Sequence, residues 1–205
     1  MLQGKTMFGG IEIFAIIDEK IDLSNIPKNV ILSYKVITAE YYLMHRQYHL
    51  SDEIYMDYLE DAKFLYGEQG APTLLIAKGL AKSYAFKKKY LEAEEILLDI
   101  IVKMKESLGP THTITIETMN QLSNVYAGCD RITEAIEMKE KCCQTMVANT
   151  GLANTLTVSM LTELADIYAK LGMYDNAEKL LNGALAAVIK QFGEYYDDTI
   201  NIIFC

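Results

Sequence analysis

Two lysines one helical turn apart, Lys78 and Lys82, are followed by a cationic run, Lys87, Lys88 and Lys89, in a chain of 205 residues with a formal charge of −9. Ammonium groups gathered in this way can receive an acidic side chain or a C-terminal carboxylate through charge-assisted hydrogen bonds. The plainer reading is a solvated helix face, because exposed charges contribute little. Cys142 and Cys143 are adjacent, which raises redox or metal chemistry. Both fall on an apolar stripe, where free cysteine behaves as a small buried hydrophobe. His45 and His49 have the spacing of a metal pair on one helix, but they fall at a predicted turn with no third ligand in register. His112 falls in a loop, where it caps or packs. Gly4, Lys5 and Thr6 match the end of a phosphate loop whose first glycine would lie before residue 1, with no strand ahead of it. No Ser/His/Asp or Cys/His set joins a nucleophile to a base and an orienting group, and Glu94 and Glu95 fall on an exposed face. The chain therefore reads as a non-enzyme, with no cofactor or metal site.

The positions of these residues are set by a repeat. Gly67, Gly109, Gly151 and Gly193 lie 42 residues apart, as do Thr73, Thr115, Thr157 and Thr199, and also Tyr42, Tyr84, Tyr126 and Tyr168. Three residue types locked to one period mark a repeat architecture. The layout is a half-unit at residues 6 to 25, full repeats at 26 to 67, 68 to 109, 110 to 151 and 152 to 193, and an incomplete unit from 194 to 205. Repeats of this kind share one continuous core, so residues 1 to 205 are expected to form a single array.

Within the second repeat, Ala77, Leu80, Ala81 and Tyr84 fall at i, i+3, i+4 and i+7, the spacing of an amphipathic helix. A second helical stripe follows through Ala93, Leu97, Ile100, Ile101 and Met104. The spacing predicts helices over Thr73–Phe86 and Tyr90–Leu108, joined by the lysine run into a hairpin. The slot that opens the second helix holds Ser51, Ala93, Ala135 or Ala177, small residues suited to close approach of two helices. Projected backwards, the register places Gly9, Ile13, Ile16 and Ile17 on the second helix of the half-unit. Ile200, Ile202, Ile203 and Phe204 give no polar closing face. Either the chain is a piece of a longer array, or its ends dock, with end-to-end self-association as one outcome.

Hydrophobic residues make up 51% of the chain, enough for a continuous core and too many for a disordered segment. The negative charge argues against a nucleic-acid partner, which needs positive potential. Four cysteines without paired spacing suit a reducing compartment, and no stretch reaches the ~20 apolar residues of a membrane span. A cytoplasmic location is the expectation.

Leu80, Ala81, Tyr84, Ala93 and Leu97 reproduce most of the tetratricopeptide pattern of large, small and tyrosine positions on one helix and small and large positions on the next. The ordinary unit has ~34 residues, and the additional residues here fall beyond Ala93. This longer form resembles the kinesin light chain type, in which a leucine-glycine, a histidine and a threonine open the unit. Leu108, Gly109, His112 and Thr115 stand in that opening, and Tyr126, Glu134 and Ala135 follow. The resemblance implies an all-α, tetratricopeptide-like helical-hairpin solenoid, a right-handed superhelix acting as a protein-binding scaffold or adaptor. It also admits a regulatory arm of a larger signalling protein such as an ATPase. Members hold peptides with an asparagine one place before the leucine; here Gly79, Gln121 and Glu163 stand there instead. In such a stack the concave face would be offered by Ser33, Val36 and Glu40, by Leu75, Lys78 and Lys82, by Glu117, Asn120 and Asn124, and by Ser159, Thr162 and Asp166. Lys78 and Lys82 are the candidates to take an acidic group of a protein or peptide partner, and Asn120 and Asn124 to bond its backbone.

Overall fold

The structure, a computed structural model, describes residues 26–193. The expectations placed on residues 6 to 25 and 194 to 205, including Gly9, Thr199, Ile202 and the phosphate-loop tail at Gly4, lie outside the described residues. Among the described residues every regular element is an α-helix. The order is α1 (Lys28–Met44), α2 (Tyr48–Tyr66), α3 (Ala71–Phe86), α4 (Tyr90–Ser107), α5 (Thr113–Gly128), α6 (Ile132–Thr150), α7 (Thr155–Lys170) and α8 (Tyr174–Phe192). α3 opens two residues ahead of the expected Thr73, with Pro72 in its first turn, where the missing N–H would have no helical partner.

The turns after the first helices follow one hydrogen-bond pattern. The N–H groups of Gln47, Lys89, Arg131 and Met173 donate to the carbonyls of Tyr42, Tyr84, Tyr126 and Tyr168 at 2.8, 2.9, 3.0 and 2.9 Å. The residue before each donor, Arg46, Lys88, Asp130 or Gly172, is left-handed, with φ of 61, 60, 64 and 75°. These are Schellman caps, which satisfy the orphan carbonyls at a helix end. Only at Gly172 is the left-handed residue free of the Cβ clash. Entry into two first helices is capped by side chains. His112 Nδ1 accepts from the Ile114 N–H, and Asn154 Oδ1 accepts from the N–H groups of Leu156 and Thr157, covering donors that a helix N-terminus leaves unpaired.

The chain divides between Glu92 and Ala93 into two compact units. In the first, α1 and α2 form a hairpin, and α3 packs on both. Leu32, Ala39, Tyr42 and Leu43 of α1, Tyr55 and Ala62 of α2, and Leu74, Ile76 and Leu80 of α3 are buried. Asp52 is buried as well, and accepts from Ser83 Oγ and Lys87 Nζ, both at 2.5 Å. This bond set ties α2 to α3 and to the turn that follows it.

In the second unit α5 pairs with α6, α6 with α7, and α7 with α8. Their common core includes Ile116, Cys142, Cys143, Met146, Leu161, Leu164 and Val188. Glu94 accepts from Arg131, whose guanidinium also grips Glu134 and lies 4.0 Å from the centre of the Tyr126 ring. The small opening slot is enclosed: Ser51, Ala93, Ala135 and Ala177 are all buried.

Candidate partner-binding faces

In the first unit the outward positions of α1 and α3 follow the expected slots. Ser33, Glu40, Leu75 and Lys82 are exposed, and Val36 and Lys78 are half-buried. Ile37, on the same face of α1, is 59% exposed, and Leu75 is 42% exposed. The lysine turn does not join this face. Lys87 is held by Asp52, Lys89 reaches Glu92 at 3.8 Å, and both ammonium groups lie over the Tyr84 ring at 5.7 and 5.5 Å. Lys88 serves as the left-handed residue of the turn. The run forms the hairpin turn expected of it, with Lys87 and Lys89 paired to Asp52 and Glu92.

Beneath this face lies a residue that spacing alone did not single out. A Cβ added to Gly79 would meet Tyr55 Cζ at 2.5 Å and its hydroxyl oxygen at 2.8 Å. The phenol of Tyr55 therefore fills the volume of a missing side chain on α3. Its hydroxyl is buried without a hydrogen-bond partner, and burial, with the negative Glu40 adding to it, pushes its pKa well up.

In the second unit the expected residues separate into two groups. Asn124, Ser159 and Asp166 are exposed, and Glu117 and Thr162 are half-buried. Thr162 Oγ1 donates to the Val158 carbonyl of its own helix. Asn120 is buried, and its amide is engaged inside the protein rather than offered to a partner's backbone. Its oxygen accepts from Lys139 Nζ at 2.8 Å, and its nitrogen donates to Glu163 Oε2 at 3.0 Å. Lys139 Nζ donates to the same Oε2 at 2.6 Å, and Asn124 Nδ2 donates to it at 3.2 Å. Lys139 is completely buried, whereas the Glu163 side chain is 40% exposed. Burial opposes the charge on Glu163, but the Lys139 ammonium and the three hydrogen bonds together hold its carboxyl below the usual range. The sequence signal was a lysine in the slot of Leu97 and Leu181 on an apolar stripe, with a glutamate 24 residues later. Tyr55 and Gly79 have that same separation.

The other candidates fall away from any site. Cys142 and Cys143 are buried, and burial pushes their thiols up to about 11 and about 12, so little thiolate is present at neutral pH. His45 ends α1 and packs against Tyr41, with ring centroids 4.2 Å apart and the planes inclined at 48°, while His49 belongs to α2. Among the described residues no group of three or more His, Cys, Asp or Glu side chains is placed to hold a metal ion. Nor is any described helix long and apolar enough to cross a membrane.

This arrangement of hairpins has close structural counterparts. The nearly identical TPR-like repeats of a Podosopora anserina protein of kinesin light chain description superpose with a TM-score of 0.71 at 18% identity, over 83% of this chain and 81% of that one. The chain has the tetratricopeptide-type repeat fold. BtubC (BKLC) from P. vanneervenii shares it with a TM-score of 0.68 at 16% identity, over 85% of this chain and 69% of that one. The apo form of RapI does so with a TM-score of 0.70 at 13% identity, over 98% and 75%. No family model and no curated protein matches the sequence. The likeness is therefore one of tetratricopeptide-type backbone, carried by very different side chains.

Proposed function

We propose that this protein is a non-enzymatic scaffold that binds a protein or peptide through the outward faces of its first helices. The observation that carries the reading is the α1–α3 face. Ile37 and Leu75 expose apolar surface there, and Lys78 and Lys82 stand one turn apart beside them. Apolar contact flanked by like charges suits an extended segment with an acidic group, because the ammonium groups add steering and register to the area buried. Within the first unit, α1 and α3 engage the partner together. The free thiols of Cys129, Cys142 and Cys143 favour a reducing compartment as the place of action.

The test is capture of partners from a cell extract by the full chain, compared with the Lys78→Glu/Lys82→Glu double variant. Partners held through acidic segments should drop at least tenfold, with the circular dichroism of the chain unchanged. Equal capture by the two proteins ends the proposal.

A further inference from the structure

The structure assigns a second recognition element to the α5–α7 face: we propose that Glu163 receives a cationic side chain of a bound polypeptide, its carboxylate aimed by Lys139, Asn120 and Asn124. Lys139 stands where Leu97 and Leu181 stand in the neighbouring repeats. Leucine fills that position without charge, and exchanging a buried ion pair for well-packed apolar residues is often neutral or stabilising. Packing therefore does not account for a lysine buried at 0% exposure. What the lysine does is orient its partner. One ammonium and two amides converge on a single oxygen, Oε2, at 2.6, 3.0 and 3.2 Å, and none of these bonds uses Oε1. The carboxylate is thus fixed in direction while its side chain stays 40% exposed.

Apart from Lys139, the ionisable side chains that α5 and α7 place near the site are acidic. α5 carries Glu117 and no lysine or arginine, and α7 carries Glu163 and Asp166, with its single cation, Lys170, at the far end. Lys139 and Glu163 neutralise each other, so the net negative charge of the face is that of Glu117 and Asp166. A guanidinium or ammonium group arriving here would meet a positioned acceptor in a negative field, so less ordering is required on binding. A partner's acidic group would be repelled by the same field. The partner segment of this element is therefore basic.

The probe is an end-capped, fluorescent hexapeptide of alternating arginine and alanine, with its glutamate counterpart as control, titrated against the full chain by anisotropy. The arginine peptide should bind more tightly than the glutamate peptide. Glu163→Gln should weaken it about tenfold, while Glu137→Gln, which removes an equal charge from an exposed position of α6, should leave it within about twofold. Asn124→Ala, which changes no charge at an exposed position, should weaken it about threefold by loosening the carboxylate. Lys78→Glu/Lys82→Glu should not weaken it, which separates this element from the face on α1 and α3. Preference for the glutamate peptide, no measurable binding, or equal losses with Glu163→Gln and Glu137→Gln would each overturn the proposal. So would a Glu163→Gln protein of lowered thermal midpoint and unchanged binding, which would leave the network with the single task of fixing α7 on α6.

Discussion

Lys139 and Glu163 are bonded to each other but differ in access to water, and that difference makes their substitutions unequal. Glu163→Ala leaves an ammonium in a site with no exposure, and breaking a buried pair from one side costs about 3 kcal/mol. Lys139→Leu leaves a carboxylate that is 40% exposed and able to hydrate, together with a buried Asn120 oxygen without its donor, so its cost should be the smaller, about 1–2 kcal/mol. Urea unfolding of the two variants at neutral pH checks the asymmetry; equal losses would contradict it. The pH dependence follows from the depressed carboxyl of Glu163. A group whose folded pKa is lowered adds stability that is fully present above its unfolded value, near 4.5, and is lost as pH falls through the folded value. The wild-type advantage over Glu163→Gln should hold from neutrality to about pH 5 and shrink below it.

At the scale of the element, a helix is fitted to its neighbour by what one slot lacks. Gly79 sits inside α3, where glycine is less favourable than alanine by about 1 kcal/mol. Propensity alone would make Gly79→Ala stabilising. The Tyr55 ring, 2.5 Å from the new Cβ, reverses the sign, and overpacking of this kind costs about 1–3 kcal/mol. Pairing Gly79→Ala with Tyr55→Leu should recover most of the loss, because leucine ends short of the phenol, and a thermal-melt double-mutant cycle would reveal the coupling. Additive effects would mean that α3 shifts to accommodate the methyl group. The same slots thus hold a tyrosine against a glycine in the first unit and a lysine against a glutamate in the second.

For the whole molecule, interactions between adjacent helices imply that damage stays local. The chain separates into compact units at Glu92 and Ala93, and the Lys139–Glu163 network belongs entirely to the second. Glu163→Ala should therefore lower amide protection in α6, α7 and α8 while leaving α1 and α2 close to wild type by hydrogen exchange. Uniform loss across the helices would show one cooperative unit instead.

Much of the backbone was legible beforehand because it depends on local, periodic features. Apolar residues at helical spacing predicted α3 and α4 nearly to the residue, and the small slots marked where helices approach. In the structure the tyrosine ladder lies at the hairpin turns, where each of those carbonyls accepts the capping bond of its helix. Charge was harder to read, because a lysine looks alike in sequence whether it is solvated, bridging or buried. Only the tertiary structure separated the exposed Lys82 from the Lys87 bound to Asp52 and the enclosed Lys139. It also turned Asn120 from a groove residue into a buried support for Glu163. The sequence by itself determined the hairpins, because backbone hydrogen bonds and apolar periodicity act over a few residues. Which polar side chains face a partner was decided by pairings 19 to 43 residues apart, and no local pattern records those.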